Sequence, residues 1–278
     1  MAYGTKTVNV MDIPLSISSV VAPYLGDNGY KFEGSNSIRV LSISDGSLST
    51  YDEGSATAPF GSASLVVPAE QVLTLAYNKS MLLRIQRTQM QDIPVSDFSK
   101  QVSMQQARDV FIPAHDAYSI SKNLASRPVG NKVTMVLGTD DIKIKFAQTV
   151  DKSRTGGGEV GKMVAWVGYE FATQLTAAIN FTGSDKGYAE GKKGYLGMFK
   201  GVTIVEAPDA YLGTDVYVIV TDKRAVVNVT PKMDPSNGGV EVLDKVPGFS
   251  GIEIQLRDRS DTFVLSKKVN SVASLEEV

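Results

Sequence analysis

Two runs, Ser37-Ile-Arg-Val-Leu-Ser-Ile-Ser44 and Ala69-Glu-Gln-Val-Leu-Thr-Leu-Ala-Tyr-Asn-Lys-Ser-Met-Leu-Leu-Arg-Ile-Gln-Arg87, flank a segment of different character. In the second run Gln71, Leu73, Leu75 and Tyr77 alternate with Val72, Thr74 and Ala76. A period of two is the signature of a strand, because successive side chains point to opposite faces. Between the runs the chain is polar and flexible. Of the 30 positions from 35 to 64, 14 are Ser, Gly or Thr and four are charged, namely Arg39, Asp45, Asp52 and Glu53. Two strands joined by such a tip predict a long β-hairpin. A two-stranded hairpin is marginal in water, so this one needs a surface to lean on. Another copy of the chain would supply one; so would an ordinary sheet with a loose loop.

Outward from the hairpin, residues 1–35 carry scattered apolar positions interrupted by Pro14 and Pro23, which predicts an extended arm or irregular segment. Residues 95–126 read as helix, with Ser96 or Asp97 as N-cap and Arg127-Pro128 as its end. Phe98, Val102, Val110, Phe111, Ala114, Ala117 and Tyr118 share a side, and Pro113 is expected to kink or divide the helix. A second helix is expected over Thr139–Ser153, capped by Thr139, with Asp140 and Asp141 at its positive end and Lys152 and Arg154 at the other. Lys162–Val167 reads as a buried strand and Tyr169–Ala178 as a third helix. A polar turn region at 183–194 is followed by strands near 202–207, 216–221, 225–229, 240–246, 251–256 and 262–265. Helices and strands that do not strictly alternate indicate an α+β fold.

Composition excludes much chemistry. The 278 residues contain no cysteine and one histidine, His115. Thiolate metal sites, disulfides and Cys nucleophiles are ruled out, and a His-based triad would have to use His115. The 28 basic and 30 acidic residues leave a net charge of −2, without the basic excess expected of a protein that grips phosphates. Neither a leader of signal-peptide type nor an apolar run long enough to cross a membrane is evident.

The remaining motifs read as ordinary structure. Gly156-Gly-Gly-Glu-Val-Gly-Lys162 matches the start of a phosphate-binding loop. Such a loop needs a strand before it, a helix after it and a hydroxyl following the Lys. Here a helix end precedes, a strand follows and the next residue is Met163, so a plain helix-to-strand connection is expected. His115 and Asp116 are adjacent in a helix and diverge, which leaves His115 as a surface or interface residue. Arg257-Asp-Arg-Ser-Asp261 reads as a turn with a surface ion-pair cluster, and Trp166 as core. Asp140-Asp141 and Asp52-Glu53 are explained by a helix cap and a hairpin tip. No catalytic, cofactor or metal residue is nominated.

The order of elements resembles the major capsid proteins of tailed double-stranded DNA phages, with the Hong Kong 97-type fold. Ser37–Ile43, Thr50-Tyr-Asp-Glu-Gly54, Val72-Leu-Thr-Leu75 and Met81-Leu-Leu-Arg-Ile85 are similar to that family's extended E-loop. Gln105–Leu124, with Pro113-Ala-His-Asp-Ala-Tyr118 and Ser121-Lys-Asn-Leu-Ala125, resembles its spine helix. Asp140–Val150, Gly161-Lys-Met-Val-Ala-Trp-Val-Gly-Tyr-Glu-Phe171, and Gly194-Tyr-Leu-Gly-Met-Phe-Lys-Gly-Val-Thr-Ile-Val205 followed by Ala207-Pro208 resemble its axial domain.

The resemblance implies a division into an N-terminal arm (1–35), an E-loop hairpin (36–80) and a peripheral domain with the spine helix (81–130). A mixed α/β axial domain (131–230), return strands of the peripheral domain (231–261), and a C-terminal axial strand and tail (262–278) follow. It implies a non-enzymatic virion protein, assembled in the host cytoplasm into hexamers and pentamers of an icosahedral shell around double-stranded DNA. A separate scaffolding protein or none, a portal and decoration proteins are the implied partners, with no cofactor. Asp45, Tyr51, Asp52 and Glu53 at the hairpin tip, and Arg84 and Arg87 near its base, are the expected subunit contacts. An encapsulin-like compartment shell shares the fold and stays open as an alternative, as does a soluble enzyme with no recognised motif.

Overall fold

The computed structural model describes residues 19–30, 37–43, 46–55, 57, 59–62, 65–90, 95–178, 194–229 and 239–278. The first eighteen residues of the expected arm, Asp45 and most of the polar region at 183–194 lie outside them.

Strands β1 (Ser37–Ile43) and β2 (Pro68–Thr74) pair antiparallel, from Ser37 opposite Thr74 to Ile43 opposite Pro68. They form a sheet of their own. The second run of the hairpin is not one strand, however. It breaks at Leu75-Ala76 and resumes as β3 (Tyr77–Gln86), which belongs to a different sheet.

The long helix is also in two parts, α2 (Val95–Gln106) and α3 (Ile112–Ser126), after the single turn α1 (Arg87–Met90). A π turn, Ala107–Phe111, joins α2 to α3, and Ile112 N–H reaches back five residues to Ala107 O. Pro113 explains it: proline has no N–H to donate and its ring crowds the carbonyl four residues earlier. The helix is rewound at that point. It starts at Val95, so Ser96 and Asp97 lie in its first turn and not at the expected cap position. It ends at Arg127, which is extended (φ −62°, ψ 131°) ahead of Pro128.

A six-stranded sheet holds the main core, in the order β4 (Lys132–Met135), β12 (Ala273–Glu277), β8 (Val216–Asp222), β5 (Met163–Gly168), β7 (Val202–Ala207) and β6 (Tyr195–Phe199). All six residues of β5 are buried because both faces of the sheet are covered. On one face Met163, Ala165 and Val167 pack with Phe146 and Val150 of α4 (Ile142–Thr155) and Phe171 and Leu175 of α5 (Tyr169–Ala178). On the other, Val164 and Trp166 pack with Val20, Val21, Leu25, Ile120 and Leu212, the last from the short α6 (Asp209–Leu212). Each such side chain contributes about 1.5–3 kcal/mol by leaving water. The α4 cap is Asp141, whose carboxylate accepts from Ile144 N–H at 3.0 Å; Thr139, the expected cap, lies in the preceding turn. The glycine loop joins the end of α4 to β5, in the helix–loop–strand order.

A third sheet joins β10 (Val240–Leu243), β11 (Gly251–Val264) and β3, with β9 (Val226–Val229) paired to the far end of β11. β11 corrects two expectations. It is one strand of 14 residues, not two, and it crosses position 261 without a break. Arg257-Asp-Arg-Ser-Asp261 lies inside it, not in a turn. Arg257 and Arg259 are exposed, whereas Asp258, Ser260 and Asp261 are buried.

Candidate subunit interface

The hairpin sheet has two unlike faces. Ile38, Val40 and Leu73 pack towards the body with Val227, Leu265 and Phe263. Arg39, Leu41, Ile43, Val72 and Glu70 share the opposite face, by the pairing of Arg39 with Val72 and Leu41 with Glu70. That outer face is open: Leu41 is 66 % exposed, Ile43 67 % and Val72 57 %. Arg39 and Glu70 cross it as a solvent-exposed ion pair at 3.7 Å. Leu48, Phe60 and Leu65 continue the apolar exposure into the tip. Exposed apolar side chains gathered on one face make it a candidate binding surface.

The tip itself is organised. The Tyr51 and Phe60 rings meet edge-to-face at 5.1 Å. Asp52 N–H donates to Pro59 O at 3.0 Å, and the Asp52 carboxylate accepts from Gly54 N–H at 2.9 Å, an Asx turn. Glu53 follows in the same turn and is exposed. Tyr51, Asp52 and Glu53 are therefore brought together. Arg84 and Arg87 sit at the far end of β3 and just beyond it, each with an acidic partner in its own chain. Arg84 Nε donates to Glu253 Oε2 at 2.8 Å and Arg87 donates to Asp244 Oδ1 at 3.0 Å.

The base of the hairpin meets α3 and β11 through the buried carboxylate of Asp261. Ala76 N–H, at the break between β2 and β3, donates to Asp261 Oδ2 at 2.7 Å. Asp261 Oδ1 accepts from Tyr118 OH at 2.9 Å and from Thr262 N–H at 2.8 Å. Burial, with Asp261 beside it, pushes the Tyr118 phenol well above its ordinary range. Gln71 adds a second tie, accepting from Ser266 N–H at 3.0 Å.

His115 is not a surface residue. It is 2 % exposed, beside Tyr77, with a hydrogen bond to the Val229 backbone. Burial depresses it to about 4, against the opposing pull of that bond and of Asp261. Asp116 faces the other way, as adjacent helical residues must. Its two oxygens accept from Ser19 Oγ and Val20 N–H, both at 2.8 Å. Burial pushes Asp116 up to about 6, although those two hydrogen bonds oppose the shift. Asp258, wholly buried, is likewise pushed up to about 6 by burial; Ser260 Oγ donates to one of its oxygens. Helix α3 is thus packed on two sides, with elements that a one-sided helical pattern does not anticipate. Among the described residues no helix is long and apolar enough to span a membrane.

No family model and no curated protein matches this sequence. Solved structures do match its fold along almost its whole length. One, from Mycobacterium phage Che8, superposes with a TM-score of 0.68 at 15 % identity, over 99 % of this chain and 96 % of that one. The capsid structure of Cyanophage P-SCSP1u gives 0.67 at 14 %, over 99 % and 93 %. The asymmetric unit of the mature capsid of bacteriophage PhiM1 gives 0.62 at 13 %, over 100 % and 92 %. The chain has the Hong Kong 97-type fold of tailed-phage capsid subunits.

Proposed function

We propose that the protein is the major subunit of an icosahedral shell that assembles as hexamers and pentamers and encloses double-stranded DNA. The observation that carries this reading is the open apolar face of the β1–β2 ribbon on a chain with a capsid-subunit fold. A ribbon of two strands gains its remaining stability by covering that face, and a neighbouring copy of the chain is the natural cover. The ribbon then lies across a neighbour's peripheral region while the six-stranded sheet gathers around the symmetry axes. The role is mechanical, in a virion component whose partners are its own copies, a separate scaffolding protein and a portal. The net charge of −2 suits a container that does not clamp its DNA.

At the ribbon tip, Tyr51, Asp52 and Glu53, with Asp45, are the proposed contacts to a neighbour's basic side chains. Arg84 and Arg87 already hold Glu253 and Asp244 in their own chain, so a neighbour's carboxylate would join or displace those partners.

Electron microscopy of the purified protein, alongside its mass by light scattering, tests the reading. Closed shells, or hexamers and pentamers of the 29.8 kDa subunit, are expected. A monomer that stays monomeric with its scaffolding protein would overturn it. Shells that package an enzyme in place of DNA would make it a cargo compartment.

A further inference from the structure

We infer that Asp261 is the pivot that sets the angle at which the β1–β2 ribbon leaves the body. The ribbon shares no strand with either larger sheet, so backbone pairing does not fix its direction. Its descending strand passes into β3 through Leu75 and Ala76, which belong to neither strand. At that break the backbone is held by a side chain: Ala76 N–H donates to Asp261 Oδ2. Asp261 is 2 % exposed, so the acceptor is buried although Ala76 itself lies at the surface. Its other oxygen is held from two directions, by Tyr118 OH on α3 and by Thr262 N–H on β11. One carboxylate therefore ties the start of β3, the long helix and the longest strand to a single point.

The neighbouring contacts are of a different kind. Leu73 packs against Val227 and Leu265, and Gln71 bonds Ser266 N–H, both within β2. They hold the ribbon to the body laterally but do not span the break. Without Asp261, Ala76 N–H and Tyr118 OH lose a buried acceptor, and rotation at Leu75-Ala76 is opposed only by the lateral contacts of β2. Tyr118→Phe leaves the Ala76 bond in place but frees the carboxylate on its helix side. The effect on assembly rests on the shell reading; the ribbon's direction does not.

The test uses the full chain in its unassembled form. The sequence has no cysteine, so Leu48→Cys at the ribbon and Lys143→Cys on α4 take two unique spin labels. In the native background the distance distribution between them should be narrow. Asp261→Ala should widen it about twofold and speed exchange of the Ala76 amide about tenfold, with smaller changes in the same direction for Tyr118→Phe. Arg259→Ala, on the exposed face of β11, should change neither. An unchanged distribution and unchanged Ala76 exchange in Asp261→Ala would overturn the pivot. Should that variant fail to fold, the same null result in Asp261→Asn with Tyr118→Phe overturns it. A native chain that never forms shells, yet shows these changes, would overturn the shell reading and leave the pivot standing.

Discussion

Asp116 Oδ2 accepts the backbone N–H of Val20 at 2.8 Å, across 96 positions of sequence. With Ser19 Oγ on the other oxygen and Trp166 Nε1–H donating to Val20 O at 3.1 Å, the segment from residue 19 is fastened to both the long helix and the six-stranded sheet. Asp116→Ala removes a buried acceptor from two donors and should cost about 2–4 kcal/mol in denaturant unfolding. Asp116→Asn should cost less, because its carbonyl still accepts one bond. Equal stability of native and Asp116→Ala chains would show that the fastening contributes nothing.

Asp258 and His115 should give pH dependences of opposite sign. Asp258 is raised to about 6 from an ordinary 3.8, so the fold favours its protonated form. Its contribution is present below about 3.8 and is lost as pH rises through 6. His115 is depressed to about 4, so its contribution is present above 6.5 and is lost as pH falls through 4. Asp258→Asn removes a buried, half-paired charge and should stabilise the chain by about 1–2 kcal/mol at pH 7.5. That gain should fade by pH 4.5. A loss of stability at pH 7.5 would mean the carboxylate has a partner that offsets its burial.

On the outer ribbon face, Leu41→Asp with Ile43→Asp should leave monomer stability within about 0.5 kcal/mol, since both side chains already face water. Assembly, followed by light scattering, should be abolished. Normal shells from this double variant would place the intersubunit contact elsewhere.

Charge reversal at the tip, Asp52→Lys with Glu53→Lys, should slow assembly and weaken its salt dependence while leaving subunit folding unchanged. Glu53→Lys alone reports charge only, because Asp52 also accepts from Gly54 N–H. Assembly untouched by both variants would remove the tip acids from the interface.

Gly156 ends α4 where the chain passes Asn270, and a Cβ there would lie 1.7 Å from Asn270 O. Gly156→Ala must shift backbone, not a flexible side chain, and should destabilise by about 2–4 kcal/mol. A chain as stable as the native one would mean that the 266–271 turn moves freely.

The elements with strong periods were legible in the sequence: the hairpin strands, the long helix, α5, and β5 as an apolar run too uniform for a one-sided strand. What escaped has physical reasons. Strand β6 has a glycine at its centre and no β-branched residue, so it does not read as a strand. The break at Leu75-Ala76 leaves the alternation intact, so pattern alone joins β2 to β3. The alternation in Arg257–Asp261 was visible, but its charges suggested a surface turn, whereas a strand can bury one sign of charge and expose the other. His115 and Asp116 were rightly read as divergent. Both being buried depended on α3 having a partner on each side, one of them an irregular segment that no propensity announces. Of the candidate interface, the ribbon and its tip were legible. The pivot was not, because it joins residues 76, 118 and 261, which only the fold brings together.

Strand β11 has a consequence for the order in which the molecule is made. It supplies the partner of β3 across some 170 positions, and β12 supplies an interior strand of the other large sheet. Neither sheet can close until residues 251–277 have been synthesised. Contacts this distant in sequence slow folding in general, because a long loop must close before they form. A chain interrupted before Gly251 has a ribbon without its anchoring carboxylate and a β4 strand without a neighbour. Closure of both large sheets therefore waits on the same stretch, residues 251–277.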